Sequence, residues 1–444
     1  MTSSPTPADN IDLLIEARWI IPVRPFGVTL ENHAVAVSGG NIVAVLPQAE
    51  ARERFTPRKT VHLGEQLLIP GLVNLHTHAA MSLLRGLADD LPLMTWLQEH
   101  IWPAEGRFVS REFVRDGTLL AAAEMLQGGI TCFNDMYFFP REAAAAAQQM
   151  GMRAALGLVV LDFPNAYASG AEDYLEKGLA ARDDLRNEPL LSFCLAPHAP
   201  YTVSDQTFER ILPLAEQLDI PIHLHLHETT TEIEESLKQY GVRPLERLRR
   251  LGLVGPGLIA VHAVHLQAAE IALLATHGCS VAHCPASNLK LASGITPVAE
   301  LLQAGVNVGI GTDGAASNNR LDLLAEMRLA ALLAKGASGN AQALGAHQAL
   351  QAATLAGARA LGMEDKIGTI ESGKAADLCA IDLSSPELSP CYDPASHAVY
   401  AAGREHVSHV WVAGQLRVEN GSLCGIGKND LISLAKVWQN KIRD

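Results

Sequence analysis

The chain has 444 residues and a formal net charge of −14. Hydrophobic residues make up 48% and charged residues 18%, a composition that can bury a large core and excludes a disordered chain. The acidic balance argues against a nucleic-acid partner, which would require a basic stripe. No apolar run is long enough to span a membrane, so we expect no membrane association.

The cysteines and the first ten residues bear on the compartment. Seven cysteines are scattered without a CxxC pair, which indicates neither a cysteine-rich zinc site nor a disulfide framework. The opening stretch MTSSPTPADN does not have the charged-then-apolar pattern of a secretory signal. We therefore expect reduced thiols and a cytoplasmic location.

Both ends of the chain read as β-rich. The stretches IDLLIEARWIIPV and HAVAVSGGNIVAVLP carry β-branched residues in alternation, with a break at Gly39–Gly40. After about residue 370 the same texture returns in ADLCAIDL and HVSHVWVAGQLRVENG, where Ala413–Gly414 and Asn420–Gly421 occupy the positions of hairpin turns. This pattern predicts one small β-sandwich domain built from residues 1–69 and 369–444.

The middle of the chain, residues 70–368, alternates short apolar runs with helical stretches rich in Ala, Leu and Glu. The runs are 72–78, 131–136, 153–160, 190–198, 221–228, 258–265, 280–285 and 307–314. Eight such runs predict an α/β fold, a closed parallel (β/α)₈ barrel of the TIM type. Most of the runs end on His or Asp, and in this fold the active site lies at the carboxyl ends of the strands.

The first run ends in the pair His76 and His78, within GLVNLHTHAAM. Residues two apart on a strand point to the same side, so the two rings project together. Two neutral imidazoles can bind one metal ion at about 2.0–2.1 Å. The alternative is a pair of half-buried histidines that hydrogen-bond to backbone.

The fifth run is HLHLHE, with His223, His225 and His227 on one face by alternation and Glu228 closing the strand. Three histidines on one buried face would be costly without a ligand. Spacing alone does not say which of them binds metal, and a solvated strand end is the alternative.

Polar residues also end four other runs. In GIGTDGAASNN, Asp313 follows an apolar strand and lies between Gly311 and Gly314. It could ligate a metal and accept a proton from water, or it could belong to an ordinary turn. In AVHAVHL, either His262 or His265 could be a further ligand or a hydrogen-bonding catalytic group. His198 in APHAPY and His283 in AHCPASN fit substrate or supporting contacts as well as plain packing.

Taken together, LLIPGLVNLHTH, HLHLHE, AVHAVHL, GTDGAASNN and IGTIESGKAADL resemble the amidohydrolase superfamily over almost the whole chain. The resemblance implies four metal ligands: His76, His78, His225 and Asp313. It also places Glu228, His262 and Asp313 at catalytic positions. The strand-four run LLSFCLAPH has no lysine to be carboxylated, which implies a mononuclear site with one Zn²⁺ per subunit. Iron or manganese also suit these ligands.

A narrower likeness, to deaminases of 5'-methylthioadenosine and S-adenosylhomocysteine, is carried by HTHAAMSLLRGLADDLPLMTWL, WPAEGR, FNDMYF, APHAPY and PASNLKLASG. It implies a small purine nucleoside substrate, contact of Glu105 with the ribose hydroxyls, and a pocket lined by His198 and Glu228. His283 would support the site from behind the metal ligands. Members of the family often form dimers or tetramers, so a homo-oligomer is compatible with the resemblance.

Members that act on S-adenosylhomocysteine hold its carboxylate with arginines after strand three. The corresponding segment here, LGLVVLDFPNAYASGAEDYLEKG, has none, and Arg153 precedes the strand, where we expect it to pack structurally. Phe163 and Tyr167 suit a small apolar tail instead. We therefore predict 5'-methylthioadenosine as substrate, with adenosine and S-adenosylhomocysteine as secondary ones. The alternatives are an S-adenosylhomocysteine-preferring, guanine or triazine deaminase or chlorohydrolase.

The resemblance also implies a mechanism of hydrolytic deamination. Asp313 takes a proton from the attacking water, and Glu228 gives a proton to N1 of the purine ring. His262 hydrogen-bonds the attacking oxygen and stabilises the tetrahedral intermediate. The P-C-x-x-C signature of the cytidine deaminases is absent from the sequence, so we expect chemistry of the barrel type.

Overall fold

The computed structural model describes residues 9–443. Residues 1–8, which hold most of the polar stretch used to predict the location, and Asp444 lie outside the described residues. The described strands form two sheets, one of nine strands and one of eight. The strands are β1 (Asp9–Ile20), β2 (Leu30–Ser38), β3 (Asn41–Pro47), β4 (Phe55–His62), β5 (Gln66–Pro70), β6 (Leu72–Thr77), β7 (Ile130–Tyr137), β8 (Arg153–Val160), β9 (Leu191–Pro197), β10 (Ile222–Leu226), β11 (Leu258–His262), β12 (Ser280–His283), β13 (Asn307–Ile310), β14 (Leu378–Asp382), β15 (Val407–Val412), β16 (Gln415–Glu419) and β17 (Ser422–Leu423).

The eight-stranded sheet contains β6 to β13 in chain order, and each neighbouring pair is parallel. Every residue of β7 and β8 is buried, as expected for a parallel sheet that is covered by helices on one face and filled by side chains on the other. Each of the eight apolar runs has become one strand. The predicted (β/α)₈ barrel is confirmed.

The barrel closes at a seam between β6 and β13. The amide of Asp313 donates to the carbonyl of His76 at 3.0 Å. The side chain of Asn74 adds two bonds to Thr312, one from Nδ2 to Oγ1 at 2.8 Å and one from the Thr312 amide to Oδ1 at 2.9 Å. A Cβ at Gly311 would lie 2.9 Å from His76 Cβ, so glycine permits this close approach. The seam therefore brings Asp313 beside His76.

Helices follow most of the barrel strands, and the long connection after β6 adds a short helical cover over the carboxyl end of the barrel. Within residues 9–443, none of the helices combines the length and apolar character needed to cross a bilayer. The helices are α1 (Gln48–Arg54), α2 (Leu93–Thr95), α3 (Trp102–Phe108), α4 (Arg111–Gln127), α5 (Pro140–Met150), α6 (Ala171–Leu185), α7 (Asp205–Leu218), α8 (Thr230–Tyr240), α9 (Pro244–Arg250), α10 (Ala268–Thr276), α11 (Pro285–Lys290), α12 (Val298–Gln303), α13 (Leu323–Ser338), α14 (Ala346–Ala352), α15 (Leu355–Ala360), α16 (Pro394–Ser396) and α17 (Lys428–Arg443).

The nine-stranded mixed sheet joins the two ends of the chain, as predicted. Its order is β17-β16-β15-β14-β5-β1-β2-β3, with β4 also paired to β1. Strand β14 runs antiparallel to β5, so the C-terminal strands continue the N-terminal ones. The predicted turns join β15 to β16 and β16 to β17, and Ala413, Gly414, Asn420 and Gly421 all have positive φ. The boundaries at 69/70 and 368/369 stay predictions.

Two buried contacts connect the barrel to the C-terminal part of the chain. Arg153, at the start of β8, donates from Nε and Nη2 to the two carboxylate oxygens of Asp377, each at 3.0 Å. Both side chains are almost completely buried, which agrees with the structural role expected for Arg153. On the other side, Trp438 of α17 donates from Nε1 to Asp116 of α4 at 2.9 Å and packs on Phe113. Helix α17 thus packs on the chain's own barrel.

Candidate metal centre and active site

The carboxyl ends of three barrel strands bring together His76, His78, His225 and Asp313. The Nε2 atoms of His76 and His78 lie 3.2 and 3.3 Å from Asp313 Oδ1. His225 Nε2 lies 3.3 Å from His76 Nε2. Four ligands held about 2.0–2.1 Å from one ion in a tetrahedron would be about 3.3 Å apart. Each of these three distances matches a pair of ligands on one metal ion, and the ligand atoms of His76, His78 and His225 all lie within 4.8 Å of one another.

The hydrogen bonds at Nδ1 of His78 and His225, on the side of each ring that faces away from the cluster, also fit metal binding. Nδ1 of His78 donates to the carbonyl of Met136 at 2.7 Å, and Nδ1 of His225 donates to the carbonyl of His198 at 2.8 Å. Each neutral ring then presents an unprotonated Nε2 to the centre. His78 Nε2 and Asp313 Oδ1 face each other as two acceptors, an arrangement that a cation satisfies.

Burial also keeps His76 and His225 neutral, the form that ligates metal. It lowers the pKa of His76 to about 4 and the pKa of His225 well below its ordinary value. Burial acts to raise the pKa of Asp313, but the hydrogen bond with His76 holds it well below its usual range. The cluster thus combines three imidazoles, of which burial keeps those of His76 and His225 neutral, with one carboxylate.

The other histidines of the fifth run separate in the structure. His223 points into the barrel, where its Nε2 lies 3.0 Å from Nδ1 of His76. The prediction that His227 shares this face is wrong. Strand β10 ends at Leu226 and the backbone of His227 has φ 55°, which turns its ring away to accept a hydrogen bond from the Leu245 amide at 3.1 Å. His265 likewise turns outward and bonds the carbonyl of Ser293.

Glu228 and His262 lie beside the four-residue cluster. Their closest carboxylate and Nε2 atoms are 3.8 Å apart, and both side chains are buried. Nδ1 of His262 donates to Oδ1 of Asn288 at 2.8 Å, so Nε2 of the neutral ring is an acceptor that faces the cluster. Burial raises the pKa of Glu228 above its ordinary value, which favours the protonated form of this carboxyl group. The backbone amide of Glu228 donates a hydrogen bond to Oε2 of Glu232 at 2.8 Å, which holds Glu228 in place.

Two serines that sequence reasoning missed bind Asp313. Ser287 Oγ donates to Oδ2 at 2.6 Å and Ser317 Oγ donates to the same atom at 2.9 Å. The amide of Gly314 donates to Oδ1 at 2.7 Å. Both serines lie in quoted stretches, AHCPASN and GIGTDGAASNN, but their spacing does not show that they converge on one carboxylate. These donors favour the ionised form of Asp313.

A cavity of about 290 Å³ opens above the cluster. Among residues 9–443, no lysine or arginine lines it. Tyr167, which we expected near the pocket, instead packs against Phe139 with ring centroids 5.0 Å apart and is not among the described lining residues. The wall is mostly apolar: Met81, Leu93, Trp96, Leu97, Trp102, Val109, Met136, Phe138, Val159, Leu161, Phe163 and Leu291.

Glu105 and His198, which we expect to contact the substrate, both line this cavity. The Tyr137 hydroxyl, a contact missed from sequence, donates to Glu105 Oε1 at 2.7 Å. Burial raises the pKa of Glu105 to about 7. His198 bonds Thr202 through Nδ1, and burial lowers its pKa to about 3. His283 lies outside the described lining; both its ring nitrogens are buried without a hydrogen-bond partner among residues 9–443, and its supporting role stays a prediction.

Comparison with known proteins decides the family. Residues 67–417 match the amidohydrolase family. This chain is an amidohydrolase. The curated 5-methylthioadenosine/S-adenosylhomocysteine deaminase of Saccharophagus degradans is 49% identical to it over 438 residues, which cover 99% of this chain and 98% of that protein. The protein of the same name from Thermodesulfovibrio yellowstonii is 43% identical, covering 97% of this chain and 99% of that protein.

Solved structures agree with this assignment. A zinc-containing crystal structure of an adenosine deaminase from Xanthomonas campestris superposes on this amidohydrolase with a TM-score of 0.97 and 54% identity, covering 98% of this chain and 100% of that chain. Atrazine chlorohydrolase from Arthrobacter aurescens in complex with zinc has a TM-score of 0.88 and 26% identity, over 96% of this chain and 99% of that chain. The amidohydrolase described here is a hydrolase of carbon–nitrogen bonds, of the deaminase type.

Proposed function

We propose that this amidohydrolase deaminates the adenine ring of 5'-methylthioadenosine, with adenosine and S-adenosylhomocysteine as secondary substrates. The products are 5'-methylthioinosine and ammonia. The observation that carries the proposal is the cavity above the histidine–aspartate cluster. In this cavity the Glu105 carboxylate is available to bind a ribose. The rest of the wall is mostly apolar, and the described residues that line it include no lysine or arginine. The names of the curated relatives support the same substrate class.

We further propose that the cluster holds one Zn²⁺, through His76, His78, His225 and Asp313. The ligand spacing and the acceptor-to-acceptor contacts described above support this ligand set. When bound, zinc lowers the pKa of a coordinated water to about 7 and so supplies a nucleophile at neutral pH. The zinc in the similar adenosine deaminase structure supports zinc over iron or manganese.

The chain's own residues supply the proton transfers in this proposal. Asp313 takes a proton from the attacking water, whose oxygen forms a bond to C6 of the purine. Glu228 donates a proton to N1, which makes C6 more electrophilic and places the added electron pair on a neutral ring nitrogen. Asp313 then passes its proton to the exocyclic nitrogen, the C6–N bond breaks as ammonia leaves, and the C6 hydroxyl returns a proton to Glu228 as the C6 carbonyl forms.

His262 has a more defined part than the sequence indicated. Because its Nδ1 proton is donated to Asn288, the neutral ring accepts a hydrogen bond at Nε2. It therefore orients the attacking water first. His262 keeps this acceptor role after the oxygen has bonded to C6, because the hydroxyl of the tetrahedral intermediate still has one proton to donate.

Glu105 and the apolar wall would select the nucleoside. An ionised Glu105, held by Tyr137, can accept hydrogen bonds from two ribose hydroxyls. A methylthio group can bury against the apolar wall without a polar partner. The carboxylate of S-adenosylhomocysteine would find no guanidinium or ammonium among the described lining residues, and its desolvation would be poorly compensated.

The test is a parallel ultraviolet assay of the zinc-loaded protein on four compounds: 5'-methylthioadenosine, S-adenosylhomocysteine, adenosine and adenine. We expect the highest kcat/KM for 5'-methylthioadenosine and the lowest for adenine, which lacks the ribose. A higher kcat/KM for S-adenosylhomocysteine would contradict the preference but keep the chemistry. Turnover of atrazine or guanine, with none of the four, would contradict the substrate class.

A further inference from the structure

A buried carboxylate on α13 lies behind the active site and has no part in the mechanism above. Glu326 is 3% exposed. Its Oε2 accepts a hydrogen bond from the amide of Ala286 at 3.0 Å, and its Oε1 accepts one from Nδ2 of Asn318 at 2.9 Å. Each oxygen therefore binds a different segment of the chain.

The first segment is the start of α11. Ala286 is followed directly by Ser287, which donates to Asp313 Oδ2 at 2.6 Å. The next residue, Asn288, accepts the Nδ1 proton of His262 at 2.8 Å. A shift of the Ala286 amide would therefore move the partners of Asp313 and His262 together.

The second segment is the turn that follows Asp313. Asn318 Nδ2 also donates to the carbonyl of Thr312 at 2.6 Å, and its neighbour Ser317 donates to Asp313 Oδ2 at 2.9 Å. The backbone of Asp313 has φ 62°, a conformation that a residue with a side chain adopts only when its surroundings hold it there. The hydrogen bonds of Asn318 to Thr312 and Glu326 hold this turn in its conformation.

We propose that Glu326 is a positioning residue that joins these two segments and so fixes Asp313 and His262 in their reactive arrangement. The inference rests on the roles proposed above for those two residues. Within residues 9–443 no lysine or arginine pairs with Glu326, and burial raises its pKa to about 8. A carboxyl group in such a place is costly unless its hydrogen bonds matter. Both of its bonds go to segments that hold Asp313.

The experiment compares Glu326→Gln with a matched control, Glu270→Gln. Glu270 is also buried and also binds a backbone amide, that of Gln267, but its other neighbours, Arg243 and, at 3.7 Å, His227, are not part of the cluster. A glutamine at 326 keeps the shape but can accept only one of the two hydrogen bonds. We expect kcat for 5'-methylthioadenosine to fall about 10- to 100-fold in Glu326→Gln with KM within about threefold, and both to stay near wild type in Glu270→Gln.

A second readout does not depend on turnover. The Zn²⁺ dissociation constant, measured by competition with a chromogenic chelator, should rise about tenfold in Glu326→Gln and stay unchanged in Glu270→Gln. If Glu326→Gln does not fold, Asn318→Ala removes one of the two contacts and should show smaller changes in the same direction. Equal losses in the 326 and 270 variants, or a Glu326→Gln protein with kcat within about twofold of wild type, would overturn the positioning role.

A double-mutant cycle with Ser287→Ala shows whether the effect passes through Asp313. If it does, the loss in the double variant is smaller than the product of the two single losses. A loss equal to that product would contradict the inference. The wild-type protein is assayed first. If it shows no turnover, the proposed function is contradicted. The positioning of Asp313 is then still tested by the zinc measurement.

Discussion

At the scale of single residues, the hydrogen-bond partner of each histidine decides what the ring can do. His78 and His225 donate Nδ1 protons to backbone carbonyls and leave Nε2 free for a metal. His262 donates its Nδ1 proton to Asn288 and leaves an acceptor for water. His227, only two residues from His225, binds the Leu245 amide and takes no part in the cluster. Histidine side chains in this region thus differ in what they face: the candidate metal position, a water molecule or a backbone amide.

Asp313→Asn tests the double role of the carboxylate. An asparagine can still accept from Ser287 and Ser317, so the fold should survive, but it cannot take a proton from water. We expect kcat to fall by about 100- to 10,000-fold in a steady-state assay. Asp173→Asn, which changes a partly exposed carboxylate paired with Lys177, is the control, and its activity should be unaffected. Near-normal turnover of the Asp313→Asn protein with metal bound would contradict the role.

Glu105 predicts a pH dependence of substrate binding. Burial raises its pKa to about 7, so the carboxyl is mostly protonated at about pH 6 and mostly ionised at about pH 8. Only the ionised form accepts hydrogen bonds from both ribose hydroxyls. KM for 5'-methylthioadenosine should therefore fall as the pH rises through about 7, and Glu105→Gln should remove this dependence. A wild-type KM that is flat over this range would refute the contact.

At the scale of elements, the loop after β8 forms part of the cavity wall and contributes Phe163. Phe163→Arg would place a cation there. An ion pair that is partly exposed contributes about 1 kcal/mol or less, so we expect the ratio of kcat/KM for S-adenosylhomocysteine to that for 5'-methylthioadenosine to rise about fivefold. Phe163→Gln has a polar but uncharged side chain and should leave the ratio nearly unchanged. Equal ratios in the Arg and Gln variants would show that this loop does not contact the tail.

The elements also show which parts of the site could be predicted from sequence. Period-two alternation placed His76 and His78 on the same side, because β6 continues to Thr77. It failed for His227, because β10 ends at Leu226 and a left-handed backbone follows. Ser287 and Ser317 are far apart in sequence and meet only because α11 and the turn after β13 pack together, a contact that spacing cannot reveal.

At the scale of the whole molecule, Arg153 and Asp377 form a buried ion pair between a barrel strand and the entry to β14. Arg153→Met would leave Asp377 buried and uncompensated, which should cost about 3–5 kcal/mol in the free energy of unfolding, measured with urea. Turnover per folded molecule should stay near wild type. A selective loss of activity on S-adenosylhomocysteine without loss of stability would instead place Arg153 in substrate binding.

The fold class and the order of its strands followed from the apolar runs, since each run in the middle of the chain became one barrel strand. The similar patterns at the two ends of the chain predicted that they form one domain, but not that β14 pairs with β5 to join them. The seam between β6 and β13 was not foreseen. It depends on the side chain of Asn74 bonding Thr312 across 238 positions, which no local pattern in the sequence indicates.

The most direct test of the account is metal removal and return. The protein would be dialysed against a chelator, its metal content measured, and deamination of 5'-methylthioadenosine followed by absorbance as Zn²⁺ is added back. We predict that activity disappears with the metal and returns in proportion to Zn²⁺ up to one equivalent per chain. Full activity in protein that retains almost no metal would contradict the claim that His76, His78, His225 and Asp313 form a catalytic metal centre.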